Sequence, residues 1–134
     1  MELLVNIDVD DIEKAIAFYE NALGLRLGRR LFGGSVVEML GASSKIHLLS
    51  KPSGSLPSPR VSLPRSYQRH WTSVHLDFVV ENVTAAVQRA SAAGAILEGE
   101  IQSFNWGRMA VMSDPFGHGF CLLEFIGKGY DEGA

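Results

Sequence analysis

The chain repeats one pattern of elements. Residues 4–11 and 75–82 align without a gap, and in each stretch an apolar run leads to a polar residue, Asp11 or Asn82, seven residues after Leu4 or His75. A repeat at this scale means that each half is one supersecondary unit, and this limits the folds open to the chain more than its composition does. Residues 3–9 (Leu-Leu-Val-Asn-Ile-Asp-Val) read as a strand. Ile12, Ala15, Ile16, Tyr19 and Leu23 then recur at helical spacing, with Gly24 as the stop. Asp10 and Glu13 have the spacing of a capping box. Runs at 25–32, 35–40 and 45–50 read as strands, with a tight turn at Gly33-Gly34. The second half gives a strand at 74–80 and a helix carrying Val83, Ala86, Val87 and Ala90, closed by Gly94. Further strands are expected at 95–101, 106–113 and 118–126.

The expected organisation is one domain over 1–134, with a first module at 1–50, a linker at 51–70 and a second module at 71–134. The linker holds Pro52, Pro57, Pro59 and Pro64, four of the chain's five prolines. Proline removes ladder donors, which argues against a central strand there. The segment reads as a connector or as a flap over a binding site. With 46% hydrophobic and 20% charged residues, the chain has the balance of a packed domain rather than a disordered one. A net charge of −3 gives no nucleic-acid footprint, and no apolar run reaches the length of a membrane span. The first residues lack a signal-peptide pattern. The single Cys121 excludes an internal disulfide, which points to a reducing cytoplasm.

The segment Asp8-Val9-Asp10-Asp11-Ile12-Glu13-Lys14-Ala15-Ile16-Ala17-Phe18-Tyr19 resembles the first strand-to-helix passage of the vicinal oxygen chelate superfamily. Asn21-Ala22-Leu23-Gly24-Leu25 is similar to that family's helix exit, and Asp114-Pro115-Phe116-Gly117-His118-Gly119-Phe120 to its turn before the last strand. The group includes glyoxalase I, bleomycin-resistance proteins and extradiol dioxygenases. The resemblance implies an α+β fold of two tandem βαβββ modules, whose curved mixed sheets surround a cup with the helices outside. It also implies a homodimer, with modules paired within one chain or across two. Metal-binding members draw a His from early in the first strand of a module and usually a Glu from the last strand. Carried onto this chain, those positions are Leu4, His47, His75 and Cys121. Leu4 cannot coordinate a metal. His47 and His75 are the candidate ligands, and a His₂Cys set with Cys121 suits zinc best.

Other residues bear on a site. His75, Asp77 and Val79 share one strand face, so Asp77 is placed to supply an oxygen ligand or to hold an imidazole. Glu124 lies an odd offset from Cys121 and faces the other side unless the strand bulges. Trp106 and Arg108 are expected to share a face, as a stacking surface and an anion anchor. Glu38 stands in an apolar strand; lining a pocket there would raise its pKa toward that of a catalytic general base. His118 reads as an exposed turn residue, and His70, beside Trp71, as a solvated loop residue or a lid contact. The expected function is binding of a small molecule without a tightly held catalytic metal. The alternative is a divalent-metal-dependent lyase, isomerase or dioxygenase.

Overall fold

In the computed structural model, which describes residues 1–134, the chain forms two units, Met1–Gln68 and Arg69–Ala134. The first unit contains β1 (Val5–Val9), α1 (Ile12–Leu23), β2 (Arg26–Leu31), β3 (Val36–Leu40) and β4 (Ile46–Ser50). Its sheet runs β1-β4-β3-β2. β1 is parallel to β4, and the remaining pairs are antiparallel. Asp11, rather than the expected Asp10, caps α1, accepting from the Lys14 N–H at 3.1 Å. Glu13 does not reach back to the cap; it pairs with Arg30 of β2 at 2.7 Å. The helix lays Ala15, Ile16, Phe18, Tyr19 and Ala22 on the sheet, over the fully buried Val9, Val37, Met39 and Leu48. Burial of each such large side chain contributes about 1.5–3 kcal/mol. One extra residue on β2 between Leu27 and Arg30 shifts the β2–β3 register. Residues 51–68 are hydrogen-bonded into this unit: Arg65 Nε donates to Asp8 Oδ2 at 2.7 Å, and the Tyr67 hydroxyl to the Lys51 carbonyl at 2.6 Å.

The second unit repeats the plan with one more strand. It contains β5 (Leu76–Val79), α2 (Val83–Ala92), β6 (Ile96–Leu97), β7 (Gln102–Phe104), β8 (Gly107–Ser113) and β9 (Gly119–Phe125). The order is β5-β9-β8-β6, with β7 also on β8 and β5 parallel to β9. The single strand expected at 95–101 is broken. Gly99 takes a left-handed conformation, φ 82°, and the chain then returns to β8 as β7. Asn82 caps α2 through the Ala85 N–H at 3.0 Å. α2 buries Val83, Ala86, Val87 and Ala90. No helix of the chain is long and apolar enough to cross a membrane.

Candidate functional site

The sheet of the second unit has two unlike faces. Alternate side chains of a strand point to opposite sides. Ala110, Met112, Phe120 and Leu122 share one face and are buried. Val111 and Cys121, paired across β8 and β9, share the other. Asp77 lies beside Cys121 across the parallel β5–β9 pair. His75 precedes β5 by one residue, so it stands one pleat from Asp77 on the same face. This face is partly open: Val111 is half-buried, and the side chains of His75 and Asp77 are 34% and 38% exposed.

Three side chains converge there. His75 Nε2 lies 3.2 Å from Asp77 Oδ1. The Cys121 thiol is hydrogen-bonded to the same carboxylate. The ligating atoms of all three fall within 4.8 Å of one another. Burial pushes the Cys121 thiol up to about 11, and the charge of Asp77 and its hydrogen bond to the protonated form add to the shift. About one thiol in 10⁴ is therefore ionised at neutral pH. A nitrogen, an oxygen and a sulfur are donors that tetrahedral zinc takes, but the trio would have to draw in from within 4.8 Å to the roughly 3.3–3.8 Å between adjacent zinc ligands. They suit the harder Mn²⁺ or Fe²⁺ less, because only one donor is a carboxylate. The thiol would have to lose its proton to coordinate.

Trp71 completes this group. Its ring lies 4.8 Å from the His75 ring, tilted by 37°. Arg69 lies over the ring, with the guanidinium carbon 5.5 Å from the indole centroid. Arg69 is itself fixed by Glu98, at 2.6 and 2.7 Å, and by the Gly117 carbonyl. The indole lies directly on Gly119, where a Cβ would meet Trp71 Cε3 at 2.2 Å. Trp71 is 49% exposed and can therefore swing away. Gly119→Val is thus expected to expel the indole from His75. In a Trp106→Phe background the remaining emission should shift to the red, with unfolding free energy changed by about 1–3 kcal/mol as for an overpacked site. Unchanged emission would show that the ring does not rest on Gly119. In the sequence Trp71 stands out only as the neighbour of His70. The available signal was an aromatic residue four positions before a candidate ligand.

The first unit holds the residues at matching positions. His47 pairs with Asn6 across β1–β4 and with Glu38 across β3–β4. In pseudo-repeat terms Asn6 stands for Asp77, His47 for Cys121 and Leu4 for His75. Leu4 directly precedes β1 and is exposed. The upward pKa shift expected for Glu38 does not occur. The extra residue in β2 sets both Gly28 and Arg29 opposite Glu38, and Arg29 Nε donates to Glu38 Oε1. Lys45 Nζ approaches the second oxygen at 3.6 Å. The Arg29 guanidinium holds this buried carboxyl below the usual carboxylate range, against the opposing effect of burial. An ion-paired carboxylate of lowered pKa is a poorer general base than the sequence suggested.

Trp106 and Arg108 do not join the His75 group. Arg108 pairs with Glu124 across β8–β9, donates to Thr84 Oγ1 of α2 at 2.7 Å and lies 3.9 Å from Glu124 Oε1. Glu124 accepts from the Val83 N–H at the start of α2, at 2.8 Å. Both side chains are therefore on the helix side of the sheet, opposite Cys121. Trp106 is absorbed in an aromatic cluster, stacked on Phe104 at 5.0 Å and edge-on to Tyr130 at 5.1 Å. His118 is half-buried rather than exposed, packed against His70 with ring centroids 4.8 Å apart.

Comparison with known proteins agrees with this geometry. FosX, a fosfomycin resistance protein from Listeria monocytogenes, is 20% identical; 100% of this chain and 98% of that chain superpose with a TM-score of 0.74. TnmS3, an antibiotic binding protein from Streptomyces sp. CB03234, is 25% identical over 94% of this chain and 96% of that one, with a TM-score of 0.67. A glyoxalase/bleomycin resistance protein/dioxygenase family enzyme from Burkholderia phytofirmans PsJN is 21% identical, with 92% and 97% covered and a TM-score of 0.67. No curated protein matches the chain. At these identities the solved structures establish the fold. The glyoxalase-like domain family matches residues 4–123, and with a repeated βαβββ plan and mixed sheets of this kind the chain belongs to that family, within the vicinal oxygen chelate superfamily.

Proposed function

We propose that the protein binds a small molecule on the open sheet face of its second unit, in the manner of the antibiotic-binding and bleomycin-resistance relatives, without a tightly held catalytic metal. The supporting observation is the closed polar trio beside Trp71. Asp77 takes up both the His75 imidazole and the Cys121 thiol, which leaves a few satisfied polar anchors beside an exposed indole and the half-buried Val111. A mostly apolar surface with a few placed polar groups is what a small-molecule site requires. Leu4 in place of a second His, and a thiol in place of a carboxylate, support the same reading. The setting we infer is a cytoplasmic homodimer, which sedimentation of the purified protein tests.

A second reading is a metal-dependent lyase, isomerase or dioxygenase. It rests on the 4.8 Å convergence of His75, Asp77 and Cys121, the residues that would hold zinc; a bound ion would act as a Lewis acid on substrate oxygens. Metal analysis of protein purified without chelator, combined with Trp71 fluorescence titrations against a panel of antibiotics including metal-free bleomycin, separates the two. The expected result is far less than one metal per chain and saturable quenching by at least one compound, weakened at least tenfold in His75→Ala. Stoichiometric metal, with turnover of fosfomycin or of a glutathione hemithioacetal that chelator abolishes, would overturn it.

A further inference from the structure

We propose that His70 and His118 form a separate binding site for a late first-row divalent ion, Zn²⁺ or Cu²⁺, that clips the start of the second unit to its β8–β9 turn. The two imidazole centroids are 4.8 Å apart and the ring planes cross at 81°. With metal–nitrogen bonds of about 2.0–2.1 Å and each ring centre about 1.1 Å behind its nitrogen, two imidazoles on adjacent coordination positions have centroids roughly 4.5–5.1 Å apart. The rings already stand at that spacing.

Both residues are held in advance. The His70 N–H donates to the Gly117 carbonyl at 3.0 Å. The His118 N–H donates to Asp114 Oδ1 at 2.9 Å, and the Asp114 N–H returns to the His118 carbonyl at 2.9 Å. Both rings are half-buried, which removes much of the ordering cost that weakens surface sites. Burial, with His118 and Arg69 next in order, holds His70 below its ordinary value. The neutral imidazole that a metal takes is therefore the dominant form at neutral pH.

Charges of both signs surround the pair. Asp114 is 5% exposed and its charge acts on His70. Its Oδ1 accepts from the Phe116 and His118 N–H groups. Arg69 opposes a second positive charge, but Glu98 neutralises it through two hydrogen bonds. Water would complete the coordination. The clip joins residues 48 positions apart in sequence, and the residue after His70 is Trp71, whose ring rests on His75. Metal on this pair would therefore stiffen the indole that borders the small-molecule face.

The test uses the full chain in a His75→Gln background, which disables the trio without touching the pair. Zn²⁺ is titrated by competition with a chromophoric chelator, and Cu²⁺ is followed by electron paramagnetic resonance. The expected result is one equivalent of either ion, with Cu²⁺ the tighter and nitrogen couplings in its spectrum. Adding His70→Gln or His118→Gln should weaken binding at least tenfold. Zn²⁺ should also raise the Tm of the background variant and leave that of the His70→Gln double variant unchanged. The Tm comparison holds even if His118→Gln folds poorly. Binding unaffected by either histidine change, or no binding beyond an adventitious ion at millimolar concentration, would overturn the proposal.

Discussion

Phe116→Ala is expected to lower the unfolding free energy by about 3–5 kcal/mol, the usual cost of emptying a fully buried aromatic site. Phe116 is 0% exposed and is the largest of the wholly buried side chains. It sits in the turn between β8 and β9, where its N–H donates to the buried Asp114 carboxylate at 2.8 Å. The turn cannot collapse to fill the void without breaking that bond and the matching one from His118. Urea denaturation measures the loss as a lower midpoint at unchanged slope. Phe104→Ala is the control: that ring is 42% exposed, and its removal should cost much less. Equal losses for the two would mean that the turn is not part of the core.

The second large effect concerns Cys121. With its thiol at about 11 instead of the ordinary value near 9, alkylation by iodoacetamide at pH 8 should run about a hundredfold slower than in the urea-unfolded chain. Asp77→Asn removes the adjacent negative charge. The thiol pKa should then fall, while staying above 9 because burial is the largest cause. Absorbance at 240 nm against pH reads both values. The sign for stability follows from linkage. The folded thiol ionises later than the unfolded one, so its contribution is complete below pH 9 and is lost as pH rises toward 11. A thiol that titrates near 9 in the folded protein, or one unmoved by Asp77→Asn, would remove Asp77 from the trio.

The helix caps show why some elements were legible. Asn82, the expected cap, acts on an N–H three residues away, an interaction within one turn of chain; Asp11 does the same one place after the expected Asp10. The same locality made the apolar spacing of α1 and α2 readable. The errors fell where a local pattern met a tertiary competitor. Asp10 and Glu13 have capping-box spacing, but Arg30 on β2 takes Glu13. The 95–101 run is apolar enough for one strand, but Gly99 breaks it, and β6 and β7 both pair with β8. At the site, strand alternation correctly assigned His75 and Asp77 to one face and Glu124 to the face opposite Cys121. It failed for Trp106, which lies outside β8 and follows its aromatic neighbours Phe104 and Tyr130 instead.

By itself the sequence determined the repeated strand–helix–strand order, the equivalence of Leu4 with His75, and the side of the sheet on which each regular strand residue lies. Those properties depend on periodicity and on short-range hydrogen bonds, which a linear string contains. The tertiary structure alone decided that Glu38 is held by Arg29, that Trp71 lies on Gly119 against His75, and that His70 meets His118. Arg29 reaches Glu38 through one β-bulge, and a shift of a single residue would have paired it differently; His70 and Trp71 lie outside the strands, where no periodicity places a side chain.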